Sequence, residues 1–209
     1  INYVNLLKNE NFDDPRIQRY IEVLEQKSMR LKTLTEDVVE ASKITSGNIK
    51  LECMKLDFTE LVLQTSAEYE EKFEERNLTD IQHLPKEKAL VYIDGRRTWR
   101  ILANLYNNAA KYAMTGSRIY TDLKVTEGAV IFSIKNISEQ PLNINADQLT
   151  ERFIRGDISR STEGSGLGLS IAQTLTEMQR GKFELYLDGD LFKATVTFPK
   201  VQEEQSTQI

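Results

Sequence analysis

The sequence predicts an α+β chain in which a helical hairpin precedes a two-layer α/β sandwich, one sheet under one helical layer. Three observations carry this. Apolar residues recur every seven positions early in the 209-residue chain, at Ile17, Leu24, Leu31 and Val38. Beyond Gly47 that spacing gives way to short runs that alternate apolar and polar, as half-buried strands do. Three helical patterns are set among those runs, grouped rather than alternating strictly with them.

Residues 1–10 are apolar at helical spacing (Ile1, Val4, Leu7), but nothing like an N-cap precedes them, so they read as the end of a helix begun upstream. A polar break at 11–14 leads to Asp14-Pro15, a restart signal, because Asp caps a helix and Pro tolerates its first position. The heptad series follows, with Tyr20, Leu34 and Ala41 three residues after its members, and Ser46-Gly47 ends it. A long helix with one narrow apolar stripe needs other helices against it. The preceding helix supplies one, and a second copy of the chain would supply the rest of a four-helix bundle. The alternative is a long helix packed on its own domain; a period nearer 3.5 than 3.6 favours the dimer.

Ile49, Leu51 and Cys53 then alternate as a strand. Asp57 with Glu60 makes a capping box for a helix carrying Phe58, Leu61, Val62, Tyr69 and Phe73, whose glutamates between 68 and 75 form a solvated face. Strands are expected at 78–83 and 89–93, a helix at 95–113, and strands at 118–125 and 129–135. An irregular polar stretch at 136–165 leads to a helix at 167–179. The segments 183–187 and 191–198 close as a hairpin over Asp188-Gly189-Asp190. Residues 202–209 are polar and read as a disordered tail.

With 27 basic against 32 acidic side chains the net charge is -5, so there is no bulk pull toward nucleic acid or anionic lipid, and any polyanion must be held by a local cluster. One Cys cannot form an internal disulfide, and no Cys–His pair has zinc-ligand spacing. A reducing, cytoplasmic setting is expected. No apolar run approaches the roughly 20 residues of a membrane span, and no signal peptide precedes the first helix. The single His, His83, excludes any mechanism that needs two histidines of this chain and reads as a structural or exposed strand residue.

Three local features carry chemistry. Gly164-Ser165-Gly166-Leu167-Gly168 opens a helix, where glycines admit a close ligand and the helix N-terminus offers N–H groups to an anion. It is neither the dinucleotide fingerprint nor a P-loop, and a plain helix-start loop remains the alternative. In 104–112, Asn104, Asn108 and Lys111 share one helix face, with Tyr112 four beyond Asn108. A carboxamide oxygen can ligate Mg2+ that keeps its bonds to phosphates, and Lys111 adds a point charge. An exposed polar stripe is the bland alternative, weakened by the core stripe of Ile101, Leu102 and Leu105 beside it. Arg152, Arg155 and Arg160 form a basic cluster just ahead of the glycine loop, placed like a lid over a triphosphate.

In this order the features resemble the sensor histidine kinases of two-component signalling over essentially the whole chain. The 104–112 segment is similar to that family's N box, Glu151-Arg152-Phe153-Ile154-Arg155 to its F box, Gly164 to Gly168 followed by Leu169 to its second glycine box, and 192–199 to its final strand. The resemblance implies a gyrase-type ATP-binding sandwich with a left-handed crossover at 47–201. It implies a dimerising hairpin at 1–46 whose first helix is truncated, so that the acceptor His lies ahead of Ile1. It further implies a transferase that binds Mg-ATP and passes the γ-phosphate to that His, for relay to an aspartate of a response regulator receiver domain. Membrane contact would come only through an anchor upstream in a longer parent. Residue by residue, Asn108 would hold Mg2+, Asn104 and Lys111 would orient the phosphates, and Tyr112 would pack beside the nucleotide. Arg155 would reach the γ-phosphate, and the backbone of Gly164, Ser165, Gly166, Leu167 and Gly168 would close on the phosphates.

One departure stands at the adenine end. Where the family's first glycine box has an Asp followed by two glycines, this chain has Asn136-Ile137-Ser138-Glu139-Gln140. An Asn oxygen still accepts a bond from the adenine amino group, without the strength of a charged acceptor, and loss of the glycines stiffens the hinge. This is either a tolerated subfamily variation or a weakened nucleotide site. Two further readings stay open: an ATP hydrolase of the same fold, and an interaction module that dimerises without catalysis. Hydrolases similar to DNA gyrase or the heat-shock chaperones place a carboxylate one turn before the Mg-binding Asn. Here that position is Asn104, which cannot accept a proton at neutral pH, so hydrolysis should be slow.

Overall fold

The computed structural model describes residues 7, 14–46, 50–142 and 167–201. Helix α1 (Pro15–Thr45) starts as its sequence signals: the Asp14 carboxylate accepts from Arg16 N at 2.9 Å, with Pro15 opening the first turn. No helix among the described residues is long and apolar enough to cross a membrane. The heptad residues Ile17, Tyr20, Leu24, Leu31 and Val38 are exposed in this single chain. The C-terminal third of α1 turns instead to the rest of the molecule, with Ala41 and Ile44 packed on its core.

The sandwich comprises β1 (Met54–Asp57), α2 (Phe58–Ala67), α3 (Glu70–Glu74), β2 (Thr79–His83), β3 (Leu90–Ile93), α4 (Gly95–Tyr112), β4 (Arg118–Val125), β5 (Ala129–Ile137), α5 (Gly168–Met178), β6 (Lys182–Asp188) and β7 (Leu191–Pro199). Five strands form the main sheet in the order β2-β4-β5-β7-β6, with β2 parallel to β4 and the other pairs antiparallel. Strands β1 and β3 pair separately, so the expected single sheet is accompanied by a small second one.

Period-2 alternation determines which side chains enter the core. Ile119, Thr121 and Leu123 of β4, Val130, Phe132, Ile134 and Asn136 of β5, and Phe192, Ala194, Val196 and Phe198 of β7 are all buried. Opposite them lie Ile101, Leu102, Leu105, Tyr106 and Ala109 of α4 and Ile171, Ala172 and Leu175 of α5. Phe58 fills the centre, its ring 6.1 Å from Phe132 and 5.6 Å from Phe198.

Two elements differ from the expected pattern. The first strand begins at Met54 rather than in the alternation that ends at Cys53. Its partner β3 stops at Ile93, opposite Met54, and the next residue, Asp94, takes up Glu52 N at 2.9 Å, so the ladder ends there. The expected helix from Phe58 through Phe73 is two helices. Tyr69 N bonds Ser66 O in a tight turn, and the Tyr69 ring swings in to lie 5.7 Å from Tyr106, with its hydroxyl donating to Ala103 O at 2.8 Å. The expected irregular stretch begins later as well, since β5 continues through Ile137.

Candidate active site

Helix α4 carries the predicted phosphate-side residues, and both its ends are held by distant side chains. At its start the Asp94 carboxylate caps Arg97 N at 3.0 Å. Buried Gln179, just beyond α5, accepts from Asp94 N at 2.7 Å and from the Thr98 hydroxyl at 3.1 Å while donating to Leu175 O at 2.9 Å. One carboxamide thus ties the start of α4 to the end of α5.

Beside the buried stripe of α4 stand Asn104, Asn108 and Lys111, each half-buried, on the common face that spacings of four and three require. The start of α5 meets this face. A Cβ on Gly168 would lie 3.3 Å from Asn104 Oδ1, so glycine lets the first turn of α5 close on that carboxamide. Asn104 Nδ2 is buried there without a hydrogen-bond partner. An unpaired buried donor costs about 1–3 kcal/mol, and a ligand oxygen at this point would remove the penalty. Leu167, buried at the N-cap, makes no side-chain cap to the first turn of α5, whose first residue, Gly168, lies against Asn104.

At the far end of α4, the Lys111 ammonium lies 2.9 Å from the Tyr112 hydroxyl and 4.6 Å from its ring centroid. Asn136 faces the helical layer, only 3% exposed, between Ile119 of β4 and Phe192 of β7. The chain leaving β5 runs along Tyr112: Glu139 N donates to Tyr112 O at 2.9 Å, and Ala113 bridges to Ser138. The structure therefore brings Asn104 to Gly168, and Lys111 and Tyr112 to the segment that follows Asn136, with Asn108 between the two along α4. Arg155, Gly164, Ser165 and Gly166, like Arg152 and Arg160, lie outside the described residues.

The donor set suits a phosphate-bound cation better than a free one. Among the described residues no group of three or more His, Cys, Asp or Glu could hold a metal ion, so Mg2+ at Asn108 would depend on phosphate oxygens for its remaining ligands. The buried phenols are hydrogen-bond donors, not bases: burial pushes Tyr69 up to about 12 and Tyr106 higher still.

Residues 93–205 match the family described as histidine kinase-, DNA gyrase B- and HSP90-like ATPase. The chain belongs to this family. Sensor protein VanSC of Enterococcus gallinarum is 28% identical over 203 residues, covering 96% of this chain and 56% of that protein. The chain spans about half the length of the curated relatives it matches. Among solved structures, full-length ShkA in complex with AMPPNP superposes with a TM-score of 0.78 at 20% identity, covering 96% of this chain and 42% of that one. Histidine kinase ThkA in complex with response regulator protein TrrA gives 0.65 at 23% identity, covering 96% and 56%. The sandwich of this family member is thus a catalytic domain of the sensor histidine kinase type.

Three arginines of this ATPase-family domain escape a reading by motif. Arg97 bonds Glu40 at 3.1 Å, and Arg100 bonds Glu40 at 3.0 Å and also Asp37, fastening α1 to the same face of α4 that leads to Asn104. Arg76 binds the other end of α4. In the sequence it is only a second cation after Lys72, closing the acidic run 68–75, and in the structure it precedes Asn77, whose φ of 52° marks a turn.

Proposed function

We propose that this chain is the catalytic part of a sensor histidine kinase. It binds Mg-ATP along α4 and transfers the γ-phosphate to a histidine of a dimerised helical hairpin, from which a response regulator aspartate takes it. The observation that carries the reading is the unpaired Asn104 Nδ2, buried against Gly168 on the face shared with Asn108 and Lys111. That face offers a neutral donor, a carboxamide oxygen and a cation in line, which is what a polyphosphate with its cation needs.

In this reading Asn108 holds Mg2+, which would neutralise the triphosphate and orient it for in-line transfer. Asn104 donates to a phosphate oxygen, and Lys111 balances developing charge with its ammonium steadied on Tyr112. Asn136 accepts from the adenine amino group, while Arg155 and the backbone of Gly164, Ser165, Gly166, Leu167 and Gly168 close on the phosphates. The acceptor is not His83, which sits exposed at the end of β2 with Nδ1 2.7 Å from Asp122 Oδ1. The exposed heptad stripe of α1 is the surface through which two copies form the bundle. The parent protein is cytoplasmic at this domain, with any membrane anchor in another segment.

The test is phosphotransfer from labelled ATP to a separately supplied hairpin that carries the acceptor histidine. The wild type should label it, and Asn108→Ala should lower the rate by at least a hundredfold. Normal transfer by that variant would end the Mg2+ assignment. Steady ATP turnover without a hairpin would favour the hydrolase reading, although Asn104 cannot serve as its base.

A further inference from the structure

An α-helix leaves its last four carbonyls without intrahelical partners. In α4 every one of them is taken. Ala113 N donates to Ala109 O at 3.0 Å. One nitrogen of Arg76, Nη1, donates to both Ala110 O at 2.8 Å and Lys111 O at 2.6 Å. Glu139 N donates to Tyr112 O. The other terminal nitrogen of Arg76 reaches Thr115 Oγ1 at 3.1 Å and Glu139 Oε2 at 2.7 Å. A cation at the negative end of the helix dipole is favourable, and the guanidinium fork lets one side chain serve two carbonyls and a carboxylate together.

The consequence concerns the exit of β5. Ile137 O accepts from Met114 N at 2.8 Å, Ser138 N donates to Asp190 O at 2.7 Å, and Glu139 closes on Arg76. The segment that lost the two glycines of the resembled pattern is pinned to the C-terminus of α4 by backbone bonds and one ion pair. Arg76 joins both parts: it holds the peptide of Lys111 on one side and, through Glu139, the strand end carrying Asn136 on the other.

We infer that Arg76 and Glu139 form a positioning strap that sets the span between the phosphate end and the adenine end of the nucleotide site. This rests on the ATP-binding reading above. Neither residue touches the nucleotide. Arg76 acts through the backbone of Lys111, and Glu139 through the two residues, Ile137 and Ser138, that separate it from Asn136. A ligand that needs both ends should feel the loss of the strap; a ligand that uses only the phosphate end should not.

The experiment is calorimetric binding of Mg-AMPPNP and, separately, of Mg-tripolyphosphate to the 209-residue chain. Glu139 is half exposed, and Glu139→Ala leaves Arg76 capping the helix while removing its acceptor, so the fold should persist. That variant should bind AMPPNP about fivefold more weakly, with tripolyphosphate affinity within twofold of wild type. Arg76→Met, which keeps the aliphatic stem, should lose at least tenfold for AMPPNP. The double variant should lose little more than Arg76→Met alone, because both substitutions cut one connection. A merely structural role would lower the melting temperature without changing the ratio of the two affinities. Wild-type affinity for AMPPNP in Glu139→Ala, or equal losses for both ligands, would overturn the strap while leaving the nucleotide site standing. A wild-type chain that binds neither ligand would overturn the nucleotide reading and the strap with it.

Discussion

Helix α1 and the sandwich dispose of the same kinds of side chain in opposite ways. On α1, Leu31 is 66% and Tyr20 67% exposed, whereas Phe58, Phe132 and Phe198 of the sandwich are at 0%. The sandwich closes on itself: sheet and helices each present one apolar face, and the two faces cover one another. A single helix has no second face to turn to. Where α1 lies beside α4 and α5, the contact combines Ala41 and Ile44 with ionic bonds of Asp37 and Glu40 to Arg97 and Arg100. The sandwich thus buries its own apolar faces, while α1 leaves an apolar stripe exposed in this single chain, the stripe that the proposed second copy would cover.

The largest expected effect lies on the sandwich side of that comparison. Phe132→Ala removes a ring packed against Phe58 and Tyr106 at full burial. It should cost about 3–5 kcal/mol in urea unfolding, since the close-packed layers cannot collapse into the hole. A loss below about 1 kcal/mol would mean that the sandwich is looser than its burial indicates. The next effect belongs to α1. Leu24→Glu combined with Leu31→Glu places charges on a stripe that is already wet in one chain, so the unfolding of the sandwich should move by no more than about 0.5 kcal/mol. In light scattering the same variant should be a monomer where the wild type is a dimer. A wild type that is monomeric at high concentration would break the contrast, for the stripe would then need no partner.

The legibility of the sequence divides along similar lines. Local pattern located β4, β5 and β7, and spacings of four and three placed Asn104, Asn108 and Lys111 on one face. Turn chemistry marked Asp14 and Asp57 as caps, each of which accepts a backbone N–H, and Asp94 plays the same part at α4 without having been read as one. Partnerships across the chain were not legible. Gln179 lies 85 positions from Asp94, and Arg76 lies 63 from Glu139, and nothing in the neighbourhood of either residue encodes the other. The break before Tyr69 and the late start of β1 have the same origin. The first is imposed by the Tyr106 ring and the second by the length of β3, both remote tertiary constraints that override local pattern. Asn136 was recognised by its position in a motif, yet its burial beneath the helical layer follows from the register of β5 against β4 and β7.

The smallest expected effect concerns the face of the sheet that no helix among the described residues covers. There Asp122 accepts from His83 Nδ1 at 2.7 Å and from Lys135 Nζ at 3.1 Å, with Lys135 also 5.2 Å from the Tyr120 ring centroid. Partial burial alone would raise the Asp122 carboxyl, but the bonds from His83 and Lys135 outweigh it and hold the group below the ordinary carboxylate range. A carboxyl lowered by folding adds stability that is fully present above its unfolded value, about 3.9, and is lost as the pH falls through its folded value. Lys135→Met keeps the stem over Tyr120 and removes a charge that does not titrate in acid. The variant should therefore be slightly less stable than wild type at pH 7, and the two unfolding curves should converge as the pH drops below about 4. A difference that persists unchanged at pH 2 would mean that Lys135 acts through packing rather than through Asp122. The open face of the sheet would then be held, like its buried side, by contact and not by charge.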